Sequence, residues 1–178
     1  MRWKRCAAAA ARLWPSRGSK PVGSSARISA RGLALAVPLG LLGGAYVSQY
    51  AFGLYPCEMC WWQRYPHFAA LALALIGWVQ PGQKLWVWLA ALAILSSGLI
   101  GGFHAGVEYD WWEGITGCAT VAEAGGDPLA AILNAPIVRC DVAPWTLSGI
   151  SLAGFNFLIS TAGALAIFAL LRREGTKA

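Results

Sequence analysis

The sequence predicts an all-α fold: an integral membrane four-helix bundle with both termini in the cytoplasm and two loops on the periplasmic side. Of the 178 residues, 57% are hydrophobic and only 12% are charged, compared with roughly 45–50% and about 25% in soluble domains. Four apolar segments follow one another, and the connecting segments divide into basic and acidic ones. This hydrophobicity also excludes disorder for most of the chain.

The first 31 residues form a basic tail. They hold eight Lys and Arg and no acid, whereas the rest of the chain holds six basic and eight acidic residues. The net charge of +6 is therefore a property of the tail, and the positive-inside rule predicts a disordered cytoplasmic segment. An organelle transit peptide is an alternative. A nucleic-acid-binding arm is another, but no recognition domain accompanies it, so no nucleic-acid partner is expected.

The apolar segments predict four transmembrane helices. Crossing the hydrocarbon takes about 20 apolar residues. The segments at about 32–54, 84–106 and 145–171 reach this length by themselves, and the one at about 60–79 reaches it only if it begins near Cys60. Buried helices of a soluble protein are the alternative, but they would need polar covering elements that this sequence lacks.

The charges of the connecting segments predict the orientation. The QPGQK turn and the C-terminus at 173–178 are basic, like the tail, whereas the loop at 107–144 holds six acidic residues against Arg139 alone. The positive-inside rule puts the basic segments in the cytoplasm. The loops at 55–65 and 107–144 then face outward.

Four of the five cysteines fall in these two outward loops. Cys57 and Cys60 form a C-x-x-C motif, Cys118 and Cys140 enclose about 20 residues of the second loop, and Cys6 lies in the tail. Paired thiols on an oxidising face predict disulfides. A C-x-x-C ring is too small to add much stability, and its thiols tend to exchange.

Two other interpretations of the cysteines can be compared with this one. A c-type haem site needs His directly after the second cysteine, where Trp61 stands. A four-cysteine zinc site is the structural alternative, but the wide spacing of the second pair does not resemble a zinc knuckle. No metal is expected.

Ionisable residues accompany the cysteines. Arg64 follows Cys60 by four residues, so on a helix it lies one turn along the same face, where its cation would favour the thiolate. Pro66 disfavours helical geometry just before it, and a lipid-phosphate anchor is the alternative role for Arg64. His104 near the outward end of the third segment either packs or passes protons, and Glu108, one turn on, could orient it.

The residues CEMCWWQRYPH at 57–67 resemble the signature of the bacterial disulfide-bond-forming protein B family (DsbB), a C-x-x-C followed by Arg four residues on. The resemblance covers about residues 32–172 and leaves the long tail unexplained. It implies a quinone-dependent thiol oxidase of the bacterial inner membrane, with ubiquinone or menaquinone as cofactor. Its partner would be a periplasmic, thioredoxin-like oxidant of the DsbA type.

The resemblance also implies roles for the cysteines. Cys118 and Cys140 are similar to the pair that accepts electrons from the soluble oxidant, with Cys118 forming the mixed disulfide. Cys57 and Cys60 are similar to the pair beside the membrane, and Cys60 would lie against the quinone.

Arg64 matches the family arginine that contacts the quinone, and His104 lies at about the position of a quinone-proximal histidine, with a looser local match. A vitamin K epoxide reductase-like protein is a second enzyme hypothesis, although its C-x-x-C comes late in the chain. A membrane scaffold or transporter subunit with a stapled loop is the non-enzyme hypothesis.

Overall fold

The computed structural model describes residues 29–116, 119–120 and 137–175. These residues form four helices and four two-residue strands: α1 (Ala30–Phe52), α2 (Glu58–Val79), α3 (Leu85–Glu108), β1 (Ala119–Thr120), β2 (Ile137–Val138), β3 (Thr146–Leu147), β4 (Ile150–Ser151) and α4 (Leu152–Gly175). The predicted helical fold class is correct, and the short strands are an addition to it. Cys6, Cys118 and most of the predicted tail lie outside the described residues.

The four helices pack against one another. The α3 helix lies between α2 and α4, and α1 contacts both α2 and α4. Three of these helices, α1, α3 and the Leu152–Arg173 part of α4, are long and apolar enough to cross a membrane. The α2 helix is not one of them, and its N-terminal half holds the polar residues Gln63, Arg64 and His67.

Local sequence signals set the ends of the first two helices. The Ser29 side chain accepts a hydrogen bond from the Gly32 N–H at 3.0 Å and caps α1. Gly53 ends the helix in the left-handed conformation (φ 66°). Cys57 caps α2, which continues through Pro66. Arg64 therefore does lie on the same helix as Cys60, one turn further along.

The α4 helix begins later than the apolar pattern indicates. The expected span starts at residue 145, whereas residues 146–151 form a β3–β4 hairpin and the helix starts at Leu152. Ser148 and Gly149 both have positive φ (53° and 80°), as a two-residue hairpin turn requires. The Tyr109 hydroxyl donates to the Gly149 carbonyl at 2.8 Å and ties this hairpin to the end of α3.

Two buried apolar clusters lie at opposite ends of the packed helices. One is made mainly of small residues and aliphatics of all four helices, including Ala34, Ala70, Ile94 and Ile167. The other surrounds the cysteines and consists of Cys57, Met59, Val107 and Cys140. Large apolar side chains also face outward on every helix, among them Leu39, Leu75, Leu99 and Leu165. Part of the apolar surface of the helices therefore faces outward, away from the interior of the bundle.

Candidate functional site

The C-x-x-C pair lies at the start of α2. Cys57 Sγ accepts the Cys60 N–H at 3.3 Å, and the two sulfurs are 3.1 Å apart. Both cysteines are unpaired thiols in this structure. The hydrogen bond with the Cys60 sulfur, followed by burial, raises the pKa of the Cys57 thiol well above its ordinary range. The pair is therefore asymmetric, with the proton held on Cys57.

Cys140 from the second outward loop lies beside this pair. The ligand atoms of Cys57, His104 and Cys140 all lie within 4.8 Å of one another. Two cysteines and a histidine are a donor set that zinc also uses. The contact between the Cys57 and Cys60 sulfurs favours thiol exchange as the use of this cluster. Cys118 falls outside the described residues, although the strands β1 and β2, which follow Cys118 and precede Cys140 in sequence, pair in antiparallel register.

His104 is a donor at the nitrogen that faces the cysteines. The Gln63 Nε2 group donates to the carbonyl of Met59 at 3.2 Å, which fixes the orientation of the amide, and also faces His104 Nδ1 at 2.8 Å. Because Nδ1 accepts, the proton lies on Nε2. His104 Nε2 is 3.2 Å from the Cys140 carbonyl oxygen and 3.6 Å from Cys57 Sγ.

Asn156 of α4 extends this arrangement through the interior. Its Nδ2 group donates to Gln63 Oε1 at 2.8 Å and to the Ser97 carbonyl at 3.1 Å. Its Oδ1 accepts from Ser160 at 2.9 Å and lies 3.0 Å from His67 Nε2. A buried polar network thus joins α2, α3 and α4 behind the cysteines, and each amide orientation is fixed by a backbone carbonyl.

Arg64 is buried between two aromatic rings. Its guanidinium carbon lies 5.0 Å from the centre of the Tyr46 ring and 4.9 Å from that of Trp61, a cation–π arrangement. The guanidinium also donates to Gln49 Oε1 at 2.7 Å and to the Ala45 carbonyl at 3.4 Å. The side chain is only 6% exposed, so the residue is held by α1 and is not a surface anchor.

Two cavities meet at Cys60. The first, here called the His104 cavity, has a volume of about 300 Å³ and is lined by Cys57, Cys60, His104 and Glu108 together with loop residues. The second, the Arg64 cavity, has a volume of about 330 Å³ and is lined by Cys60, Arg64 and mostly apolar residues of α1 and α4. His104 lines the first cavity and Arg64 the second, so the structure separates the two residues that the sequence grouped at one cofactor.

The sequence matches the family model of disulfide bond formation protein DsbB over residues 27–170, which is most of the chain. The chain belongs to the DsbB family.

Curated DsbB relatives agree with this assignment. Disulfide bond formation protein B of Aromatoleum aromaticum is 32% identical over 155 residues, covering 79% of this chain and 90% of the relative. The protein of the same name from Paracidovorax citrulli is 28% identical over 154 residues, covering 76% of this chain and 86% of the relative. No solved structure matches the chain. Membership of the DsbB family supports a role in disulfide bond formation and the class of disulfide oxidoreductase.

Five residues of this DsbB site were predicted from the sequence, whereas its supporting amides were not. The structure brings Cys57, His104 and Cys140 together beside Cys60, and it places Arg64 on the other side of Cys60, in the Arg64 cavity. It adds Gln63 and Asn156, neither of which was predicted from the sequence as a site residue. The available signal was a polar side chain inside an otherwise apolar span, which is costly unless it has a specific partner.

Proposed function

We propose that this DsbB-family protein is a membrane thiol oxidase that reoxidises a thioredoxin-like, DsbA-type dithiol oxidant in the periplasm. Electrons pass from the partner to Cys118 and Cys140, then to Cys57 and Cys60, and finally to a membrane quinone. The position of Cys60 carries the proposal. It is in contact with the exchanging sulfur of Cys57 and also lines an apolar cavity next to a buried arginine.

The Arg64 cavity fits a quinone ring. Its volume of about 330 Å³ lies within the range of small-molecule sites, which are mainly apolar with few polar groups. Arg64 supplies the planar cationic donor that suits a carbonyl or oxyanion, and apolar residues of α1 and α4, such as Leu42 and Ile159, suit an isoprenoid tail. Bound quinone supplies a two-electron, two-proton acceptor at Cys60.

The exchange steps use the cysteines in a fixed order. The reduced partner attacks the Cys118–Cys140 disulfide at Cys118, which releases Cys140 as a thiol. Cys140 then attacks Cys57, since these two sulfurs belong to the cluster within 4.8 Å, and the electron pair of the broken bond leaves on Cys60. The second thiol of the partner displaces Cys118, and the partner leaves as a disulfide. The freed Cys118 thiol then attacks Cys140, which re-forms the Cys118–Cys140 disulfide and releases Cys57 as a thiol. His104 Nε2–H, 3.6 Å from Cys57 Sγ, faces this exchange as a hydrogen-bond donor.

The acceptor must be more oxidising than cellular thiols. DsbA-type oxidants have potentials near about −120 mV, and passing their electrons to glutathione at about −220 mV or lower would be uphill by roughly 4–5 kcal/mol. A quinone is a stronger oxidant than glutathione, so electron transfer to it is not uphill, and it is soluble in the membrane. The three apolar helices and the outward-facing leucines support an inner-membrane location for the protein, where the quinone pool lies.

Cys60→Ser and Arg64→Ala test this function. In membranes supplied with a reduced DsbA-type protein, both variants should lose at least about 100-fold in the rate of quinone reduction, measured by quinone absorbance. Cys60→Ser removes the sulfur that delivers the electrons, and Arg64→Ala removes the donor to the acceptor, a loss of the size seen for electrostatic groups at reacting oxygens.

Lys84→Ala is the matched control for Arg64→Ala. Lys84 is an exposed cation outside the Arg64 cavity, so its loss should leave the rate unchanged. Normal rates in both Cys60→Ser and Arg64→Ala would contradict the proposed function.

A further inference from the structure

Glu108 places a carboxylate in the His104 cavity, close to the cysteines. Its side chain is only 2% exposed, and Oε1 lies 3.8 Å from His104 Nε2. Its other oxygen, Oε2, is buried without a hydrogen-bond partner within 3.5 Å among the described residues, although the Ser151 side chain also interacts with the carboxylate. Burying a carboxylate oxygen without a partner is costly. A proton or a water molecule that reaches Oε2 would offset that cost.

His104 cannot serve as the base in this cavity. The amide of Gln63 holds Nδ1 as an acceptor, so Nε2, which faces Cys57 and Glu108, carries the proton. A nitrogen that already holds a proton donates and does not accept. Among the described residues that line the cavity, Glu108 is the one carboxylate and therefore the available proton acceptor.

We propose that Glu108 is the general base of the thiol–disulfide exchange at Cys57, acting directly or through one water molecule in the His104 cavity. This proposal rests on the proposed function and goes beyond it, because it names the residue that accepts the proton of the attacking thiol. The Glu108 carboxylate takes the proton of the Cys140 thiol. The Cys140 thiolate attacks Cys57, the Cys57–Cys140 bond forms, the Cys57–Cys60 bond breaks, and its electron pair stays on Cys60 as a thiolate.

The roles of His104 and Glu108 are then complementary. His104 donates its Nε2–H to the Cys140 carbonyl at 3.2 Å, with Cys57 Sγ at 3.6 Å, and Glu108 accepts the proton. The other titratable or charged groups that line this cavity are the thiols of Cys57 and Cys60 at the start of α2, Tyr55 from the loop before α2, and Arg139 from the second loop. The proton leaves toward the loop side of the molecule, whereas the electrons leave toward the Arg64 cavity.

The exchange step can be measured without partner or quinone. In the full-length Cys118→Ser variant, purified in detergent and freed of quinone, Cys140 is a free thiol opposite an oxidised Cys57–Cys60 pair. After a jump from acidic to neutral pH, rapid quenching and mass spectrometry follow the formation of the Cys57–Cys140 disulfide. With Glu108 present, the rate should rise as the carboxylate ionises and then level off.

Glu108→Gln in this background should slow the exchange at neutral pH by about 100-fold or more, the usual contribution of a general base. The rate should then climb about tenfold per pH unit, because hydroxide must replace the base. Glu108→Asp should keep the levelling pH profile at a lower rate, and it decides the question if the glutamine variant does not fold. Glu113→Gln, which removes an exposed acid outside the cavity, should behave like the unchanged protein.

An unchanged rate and profile in Glu108→Gln would overturn the proposal, as would an equal loss in Glu113→Gln. The quinone assay of the protein with all its cysteines is independent of this measurement. If the protein with all its cysteines reduces no quinone, the proposed function is contradicted, but the exchange result for Glu108 still holds.

Discussion

Cys57 and Cys60 differ in their surroundings although they share one motif. Cys57 is 3% exposed, caps the helix by accepting the Cys60 N–H and donates its S–H to Cys60 Sγ, while Cys60 lines both cavities. The spacing of the motif places both sulfurs at the first turn of α2. The difference between them comes from what the loop and the other helices bring to each sulfur.

The raised pKa of Cys57 predicts selective alkylation of the reduced protein. Neutral pH lies far below the folded-state pKa of Cys57, so this thiol stays protonated. Iodoacetamide should therefore modify Cys60 first. The rate at Cys57 should keep rising with pH into the alkaline range without levelling off. Pulse alkylation followed by peptide mass spectrometry measures both rates.

A thiol that is slow only because it is buried would give a different profile. Its rate would be low but would level off near the ordinary pKa of cysteine, about 8.5. Such a plateau at Cys57, or modification of Cys57 ahead of Cys60, would contradict the assigned asymmetry.

The α3 and α4 helices approach each other closely where the polar network crosses between them. A Cβ added to Gly101 would lie 2.9 Å from Asn156 Nδ2 and 3.0 Å from the Ala153 carbonyl oxygen. Small residues allow helix backbones to approach in this way. The close contact lets Asn156 reach Ser97 and Gln63, so the packing of two helices positions a side chain of the site.

Gly101→Ala should therefore destabilise the protein by about 1–3 kcal/mol, the usual cost of overpacking. The backbone carbonyl beside the new methyl group cannot move away as a side chain could. Thermal unfolding in detergent, followed by circular dichroism, measures the change.

Gly40→Ala is the matched control in α1, because a Cβ there meets nothing within 4 Å. It should be neutral or stabilising by up to about 1 kcal/mol, since alanine favours the helix. Equal destabilisation by both substitutions would contradict the close α3–α4 contact as its cause.

At the scale of the whole molecule, charge and site chemistry lie at opposite ends. The cysteines, His104 and Glu108 gather where α2 begins and α3 ends, while Arg31 and Lys84 lie together at the other end, in a pocket with Trp78. In the proposed orientation the first end faces the periplasm, where thiols are oxidised. The basic end then faces the cytoplasm, as the positive-inside rule expects.

Fusions of alkaline phosphatase, an enzyme active only outside the cytoplasm, test this orientation. Fusions at Gly82 and at the C-terminus should be inactive, because both points lie in the segments that the basic residues place in the cytoplasm. A fusion after Gly114 should be active, because it lies in the acidic loop. Fusions of a cytoplasmic fluorescent protein at the same positions should give the opposite pattern. Alkaline phosphatase activity of the Gly82 fusion would contradict the proposed topology.

The sequence by itself determined the helical class, three of the apolar helices, the cysteine motif and the family. Each of these depends on local composition or spacing: a run of about 20 apolar residues predicts a span, and C-x-x-C with Arg64 four residues on is read directly along one helix. The same local reasoning failed at Trp145. There the apolar pattern continued through the Ser148–Gly149 turn and hid the hairpin.

Only the tertiary structure decided which side chains meet. Gln63 and Asn156 are 93 residues apart, and their contact depends on how closely α3 and α4 pack. Their amides fix the proton of His104, and that in turn leaves Glu108 as the acceptor. Spacing along a chain determines which residues share one helix face, but contacts between helices depend on packing, which no single segment encodes.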